Sequence, residues 1–172
     1  MWLKDEESDS VTIKLTTQLM EQQIDFDYID TESLTSLFNL VDDGIKNQSN
    51  QVYRAIIVPT STVIHKEVLQ NLRSFVAVGG KVVFVGRTPS MVIDRTFLNY
   101  ESAPDLNFAT LLESSPEITP QVLSVLPKPD VKLDLACTAI KYIHRELMDG
   151  DIYFFFNESN QIQSRTATVA GS

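Results

Sequence analysis

Residues 53–89 read YRAIIVPTSTVIHKEVLQNLRSFVAVGGKVVFVGRTP, and this stretch decides the fold. Arg54-Ala55-Ile56-Ile57-Val58-Pro59 is a short continuous apolar run rich in β-branched residues, the texture of a strand covered on both faces. Then Val68, Leu69, Leu72, Phe75 and Val76 fall at i, i+1, i+4, i+7 and i+8, one apolar stripe of a helix. Lys66, Glu67, Gln70, Asn71, Arg73 and Ser74 take the polar side. No capping box opens this helix, because Ile64 stands three residues before Glu67. Gly79 or Gly80 ends it by adopting a left-handed conformation without a Cβ clash. Lys81 to Gly86 is a second buried-type strand. Strand, helix and strand at this spacing predict a βαβ unit with a parallel pair and a right-handed crossover.

In open sheets of this kind ligands sit beyond the carboxyl ends of the strands. Those ends carry Thr60, Ser61 and Thr62 after the first strand, and Arg87, Thr88 and Ser90 after the second. Hydroxyls beside an arginine are the chemistry of a small sugar or anion pocket. Equally, every such sheet has polar loops leaving its strands, and a fold alone assigns no function.

Outward from this core, Asp9 or Ser10 is the expected cap of a first helix with Val11, Leu15, Leu19 and Met20 on one side. Ile24, Phe26 and Tyr28 alternate with Asp25 and Asp27, predicting an edge strand. Asp30 caps a second helix carried by Leu34, Leu37, Phe38 and Val41. Asp42 to Gln51 reads as a loop. No strand precedes the first helix, whereas a doubly wound domain opens on a central strand. The reading is therefore of a domain trimmed after a natural first strand.

After Ser90, Leu106, Phe108, Leu111 and Leu112 are expected to pack, a short helix covers Gln121 to Leu126, and Val131 to Leu135 is a strand. The last third differs. Ala139 to Leu147 alternates, Asp149-Gly150 is a hairpin turn signal, and Asp151 to Asn157 returns as a second strand. Gln163 to Val169 is a Thr-rich third strand, and the stop at Gly171-Ser172 within β-type sequence again suggests a fragment. The fold class expected is α/β, a three-layer Rossmann- or flavodoxin-like, mostly parallel sheet over residues 1–136. An antiparallel β extension over residues 137–172 completes it or enters a β-module.

The 172 residues carry a net charge of −9, with 43% hydrophobic residues, a pI near 4.6 and a mean hydropathy of −0.04. Such an acidic chain repels phosphate backbones, which argues against nucleic acid as a partner. No apolar run approaches the ~20 residues that span a bilayer, so membrane insertion is not expected. The segment Met1 to Glu7 lacks the basic-then-apolar order of a signal peptide. One cysteine, Cys137, excludes an internal disulfide and a cysteine-only metal site, and it reads as a small buried hydrophobe.

The turn Val58 to Thr62 holds neither the cysteine nor the glycines of a glutaminase nucleophile turn. G-x-S-x-G, Walker and G-x-G-x-x-G motifs are absent, so no glycine loop cradles a phosphate. His65 and His144 lie far apart without metal-ligand spacing, and each reads as a surface or satisfied residue. Glu146, Asp149, Asp151 and Glu158 cluster at the hairpin. Asp149 and Asp151 bracket Gly150, which is turn chemistry, and no apolar pocket would raise one carboxyl into a general acid. A calcium site there lacks EF-hand spacing. No cofactor is expected.

Two stretches in order carry a family resemblance. Tyr53 to Pro59, followed by Leu69-Gln70-Asn71-Leu72 and Gly79-Gly80-Lys81-Val82-Val83, resembles the amidotransferase-like accessory domain of large bacterial glycoside hydrolases. Ile143-His144-Arg145 with Gly150 to Asn157 resembles the segment that closes that domain and enters a β-module. The combination is most similar to the α-L-rhamnosidase type, glycoside hydrolase family 106. Similar accessory domains in family 42 β-galactosidases help form trimers. The resemblance implies a noncatalytic role in polysaccharide breakdown, with the catalytic carboxylates on a separate (β/α)8 barrel. Its implied partners are the other domains of the parent glycosidase, with a homo-oligomer or a carbohydrate as further possibilities. An exported parent would place it in the periplasm or outside the cell. Two alternatives stand beside it: a small-molecule or carbohydrate-binding α/β module using the strand-end turns, and a divergent amidotransferase-like enzyme using Cys137.

Overall fold

The computed structural model describes residues 6–36, 39–94 and 99–170. In chain order it begins with helices α1 (Glu6–Glu21) and α2 (Thr31–Ser36) and strands β1 (Asn39–Val41), β2 (Gly44–Lys46), β3 (Val52–Tyr53), β4 (Ala55–Val58) and β5 (Val63–His65). Helix α3 (Lys66–Ala77) is followed by β6 (Lys81–Val85), β7 (Met91–Ile93), β8 (Tyr100–Ser102) and β9 (Leu111–Glu113). Then come α4 (Pro120–Val125), β10 (Val131–Leu133), β11 (Ile140–Leu147), β12 (Gly150–Asn157) and β13 (Ala167–Val169). Two units result. One comprises Met1–Leu15 with Asp27–Pro127, the other Thr16–Phe26 with Lys128–Ser172.

The first unit is built on the predicted βαβ stretch. β4 and β6 pair in parallel, Ala55 opposite Lys81 through Val58 opposite Phe84. β9 adds a third parallel strand along β6, from Val83 opposite Leu111. Val82 to Val85 are all buried, so β6 is covered on both faces as a central parallel strand must be. From α3, Leu69, Leu72 and Phe75 join Ile56, Val82 and Phe84 in one apolar cluster. Each such fully buried side chain stabilises the fold by about 1.5–3 kcal/mol through lost contact with water.

The ends of α3 follow the sequence. His65 stands at the N-cap without a side-chain capping bond, and Gly79 adopts φ +102, where a Cβ would run into the Asp43 carboxylate. Asp30 caps α2, its Oδ1 accepting from Ser33 N at 2.7 Å, and that bond holds its carboxyl below the ordinary range. Thr119 caps α4, its hydroxyl accepting from Val122 N at 3.3 Å. α4 itself lies within one residue of the expected span.

Several expectations are corrected. The chain is mixed α/β, with a small parallel sheet, β4-β6-β9, and antiparallel strands. A second three-stranded sheet runs β5-β7-β8, parallel between β5 and β7 and antiparallel between β7 and β8. α1 starts at Glu6, so Asp9 and Ser10 lie inside it rather than at its cap. Val11, Leu15 and Leu19 are buried as expected. Ile24 to Tyr28 forms no strand. Gln23 takes φ 57 to close the helix, and the chain beyond it passes from one unit to the other. Val41 is in β1, not in a helix, while Leu37 and Phe38 lie outside the described residues. The expected loop after Asp42 holds the hairpin β1–β2, turned at Asp42-Asp43 with Asp43 at φ 62, and β3 then pairs with β2. Leu112 is 50% exposed rather than packed.

In the second unit β11 and β12 form the expected antiparallel hairpin, Ile140 opposite Asn157 through Leu147 opposite Gly150. The strand expected from Gln163 is confined to β13, which pairs with β10. The strand expected through Leu135 stops at Leu133, and Leu135 is exposed.

Replacing Leu72 with alanine removes fully buried apolar volume and is expected to destabilise the chain by about 2–5 kcal/mol, against less than about 0.5 kcal/mol for Leu112→Ala. Urea denaturation midpoints of the two variants check this; equal midpoints would contradict the assigned core.

Candidate functional site

The strand-end turns come together as the sequence suggested. They do so by bonding to each other. Ser61 N donates to Arg87 O at 3.1 Å, and Ser90 N donates to Thr62 O at 3.0 Å. Thr60 is 1% exposed, and its hydroxyl accepts from Arg87 N at 3.2 Å. Gly86 takes φ +81, where a Cβ would run into that same hydroxyl. The Ser61 hydroxyl donates to Val63 O at 2.7 Å. Thr88 is half-buried and Ser90 exposed. Arg87 is exposed, and its Nη1 meets Glu7 Oε2 at 2.7 Å. The Thr60 hydroxyl and the Ser61 and Ser90 backbone amides thus splice the two turns together.

Two surface depressions of about 390 and 310 Å³ lie elsewhere on this unit, and none of the six turn residues lines either. Both include Lys66 and Glu101, whose side chains pair at 3.0 Å. The bond to Glu101 raises the Lys66 pKa above its ordinary value.

A polar cluster centred on His144 lies in the second unit, and the sequence did not anticipate it. His144 sits mid-strand in β11. Its Nδ1 is 2.9 Å from Asp130 Oδ2 and its Nε2 3.1 Å from Asp151 Oδ1. The imidazole lies flat on the Tyr153 ring, with centroids 4.3 Å apart and planes 7° apart. Cross-strand pairing explains the stack, because His144 is directly opposite Tyr153. Only the protonated ring can donate from both nitrogens. The Asp130 bond first, and the Asp151 bond next, therefore raise the His144 pKa above its ordinary value. Beside it, burial pushes the Tyr142 hydroxyl well above the ordinary phenol range, and this hydroxyl donates to Gln23 O at 3.4 Å.

The arrangement ties Asp130, just before β10, to the hairpin through one imidazolium. It does not resemble a hydrolytic pair, because the imidazole fills the space between the two carboxylates where a substrate bond would have to lie. Among the described residues no group of three or more histidine, cysteine or acidic side chains is placed to hold a metal ion. Asp149 and Asp151 part company: Asp149 is in the turn, while Asp151 faces His144. Cys137 is buried, with Sγ 3.8 Å from Gln163 Oε1, as expected of a small hydrophobe and not of an accessible nucleophile.

Residues 1–170 match the family model described as alpha-L-rhamnosidase, glycoside hydrolase 106. The chain is a glycoside-hydrolase family sequence, and it belongs to the alpha-L-rhamnosidase family 106. A search of curated proteins gave no match. Among solved structures it is similar to a rhamnosidase from Novosphingobium sp. PP1Y, with a TM-score of 0.55 and 21% identity over 85% of this chain. At that identity the likeness concerns the fold. The chain spans 15% of the length of that rhamnosidase.

The sign of the pH dependence follows from the raised His144 pKa. The stability this clasp contributes is complete below the unfolded histidine value of about 6.5 and is lost as pH rises through the higher folded value. The melting temperature of the native chain is expected to fall across that window more than that of His144→Gln. Parallel curves for the two proteins would exclude an imidazolium clasp.

Proposed function

We propose that this chain is a noncatalytic accessory domain of an α-L-rhamnosidase-type glycoside hydrolase acting in polysaccharide breakdown, with a role in domain packing or subunit association. One observation carries the reading: a chain that matches the family model over residues 1–170 spans 15% of the length of the solved rhamnosidase it resembles. The Asp130–His144–Asp151 arrangement is consistent with it, since its paired carboxylates are occupied by an imidazole.

We further read residues 1–136 as a reduced amidotransferase-like, flavodoxin-type domain. The parallel β4–α3–β6 unit with β9 alongside supports this reading. Residues 137–172 are its β extension, supported by the long β11–β12 hairpin. The partners are then other domains of the parent enzyme. A chromogenic α-L-rhamnoside incubated with this chain alone is expected to be hydrolysed no faster than in buffer, whereas the parent polypeptide cleaves it. Turnover by the isolated chain would overturn the accessory role.

A carbohydrate-binding role remains attached to one observation, the exposed Arg87 beside Ser90 at the carboxyl ends of parallel strands. It predicts saturable heat on calorimetric titration with rhamnose or rhamnose-containing oligosaccharides, weakened by Arg87→Ala. A flat titration removes it.

A further inference from the structure

The β11–β12 hairpin has two chemically different faces. In antiparallel pairing, directly opposed residues share a face and successive residues alternate. One face holds His144, Tyr153 and Asp151, engaged as described. The other holds Ile143, Leu147, Ile152, Phe154 and Phe156, all exposed, Phe154 to 61%. Phe154 and Phe156 lie with ring centroids 6.1 Å apart. An apolar face of this kind is a candidate interaction surface, because an exposed patch of a few hundred Å² matches the largest patch of a typical monomer, which is often functional.

The area selects the occupant. Eight residues at ~3.4 Å each give a ribbon about 27 Å long and roughly 10 Å wide, a few hundred Å² in all. A stable association of separate molecules buries about 800 Å² on each partner. The patch is too small for a free partner or a second copy. It is sufficient for a domain on the same polypeptide, which is presented at an effective concentration in the millimolar range. Charge points the same way. On this face Lys141 pairs with Glu158 at 4.0 Å, which leaves Arg145, opposite Ile152, as the cation that two copies related by a two-fold axis would bring toward each other. A complementary occupant is apolar at its centre and acidic opposite Arg145.

We propose that the Ile143–Phe154 face of this hairpin is the docking surface for another domain of the same rhamnosidase polypeptide. The inference rests on the accessory-domain reading. That reading supplies the additional polypeptide, as in the solved rhamnosidase of which this chain spans 15%.

Hydroxyl-radical footprinting tests it without altering the protein. The polypeptide encoded by the complete reading frame and the 172-residue chain are labelled side by side, each with its sedimentation coefficient measured. Phe154, Phe156 and Ile152 are expected to be oxidised several-fold more slowly in a monomeric parent than in the isolated chain. Phe154→Asp, at an exposed position, is expected to leave the circular dichroism of the isolated chain unchanged and to restore labelling of Phe156 in the parent. Equal labelling in both proteins overturns the docking surface and leaves the accessory role standing. Protection in the isolated chain that grows with concentration, together with a dimer mass, assigns the face to a second copy and overturns the proposal. A reading frame with no further domain removes the accessory reading itself, and the proposal with it.

Discussion

The parallel contact between β4 and β6, with α3 laid across it, is the constraint on which the first unit depends. A parallel pair cannot be closed by a tight turn; it needs a crossover, and the crossover brings its own apolar stripe to the sheet. Leu72 and Phe75 therefore meet Val82 and Phe84 as a consequence of connectivity as much as of hydrophobicity. Once β6 is buried on both faces it must satisfy its backbone through neighbours, and β9 takes its free side. The close approach of Phe75 to Gly80, where a Cβ would collide with the ring, shows how tightly the helix end is drawn onto the strand that follows.

This part of the fold was legible because its signals are local. A 12-residue helix shows its period within itself, and Gly79 marks its end four residues after the last buried ring, Phe75. The hairpin was legible for the same reason: two alternating eight-residue strands flank a turn rich in positive-φ formers. The strands that escaped prediction are three residues or fewer, among them β1, β2, β5, β7 and β8. Such a strand contains barely one period and owes its existence to a partner far away in sequence. Ile24 to Tyr28 is the converse case, a clear alternation that forms no strand. Alternation records environment on two sides; it does not create a ladder.

The His144 cluster shows where site reading from sequence stops. Once the hairpin register is drawn from Asp149-Gly150, Tyr153 falls opposite His144, and Asp151 lies on the same face two positions along. That half was recoverable. Asp130 was not, since nothing in the sequence sets its position against a strand 14 residues away. For the strand-end turns, sequence placed the right residues side by side but could not foresee their engagement. Thr60 serves Arg87 N, and Gly86 yields its side-chain space to the same hydroxyl. Polar residues at strand ends are available to ligands only where the backbone leaves them unclaimed.

The hairpin's exposed face also governs how this chain behaves as a colloid. Among the described residues β11–β12 is a two-stranded sheet that pairs with no third strand, and one side of it is apolar. At neutral pH the formal charge of −9 keeps such ribbons apart by mutual repulsion. Near pH 4.6 that repulsion vanishes. Phe154 and Phe156 on that apolar side are then unguarded, and mild acid is the condition under which the isolated chain clumps first.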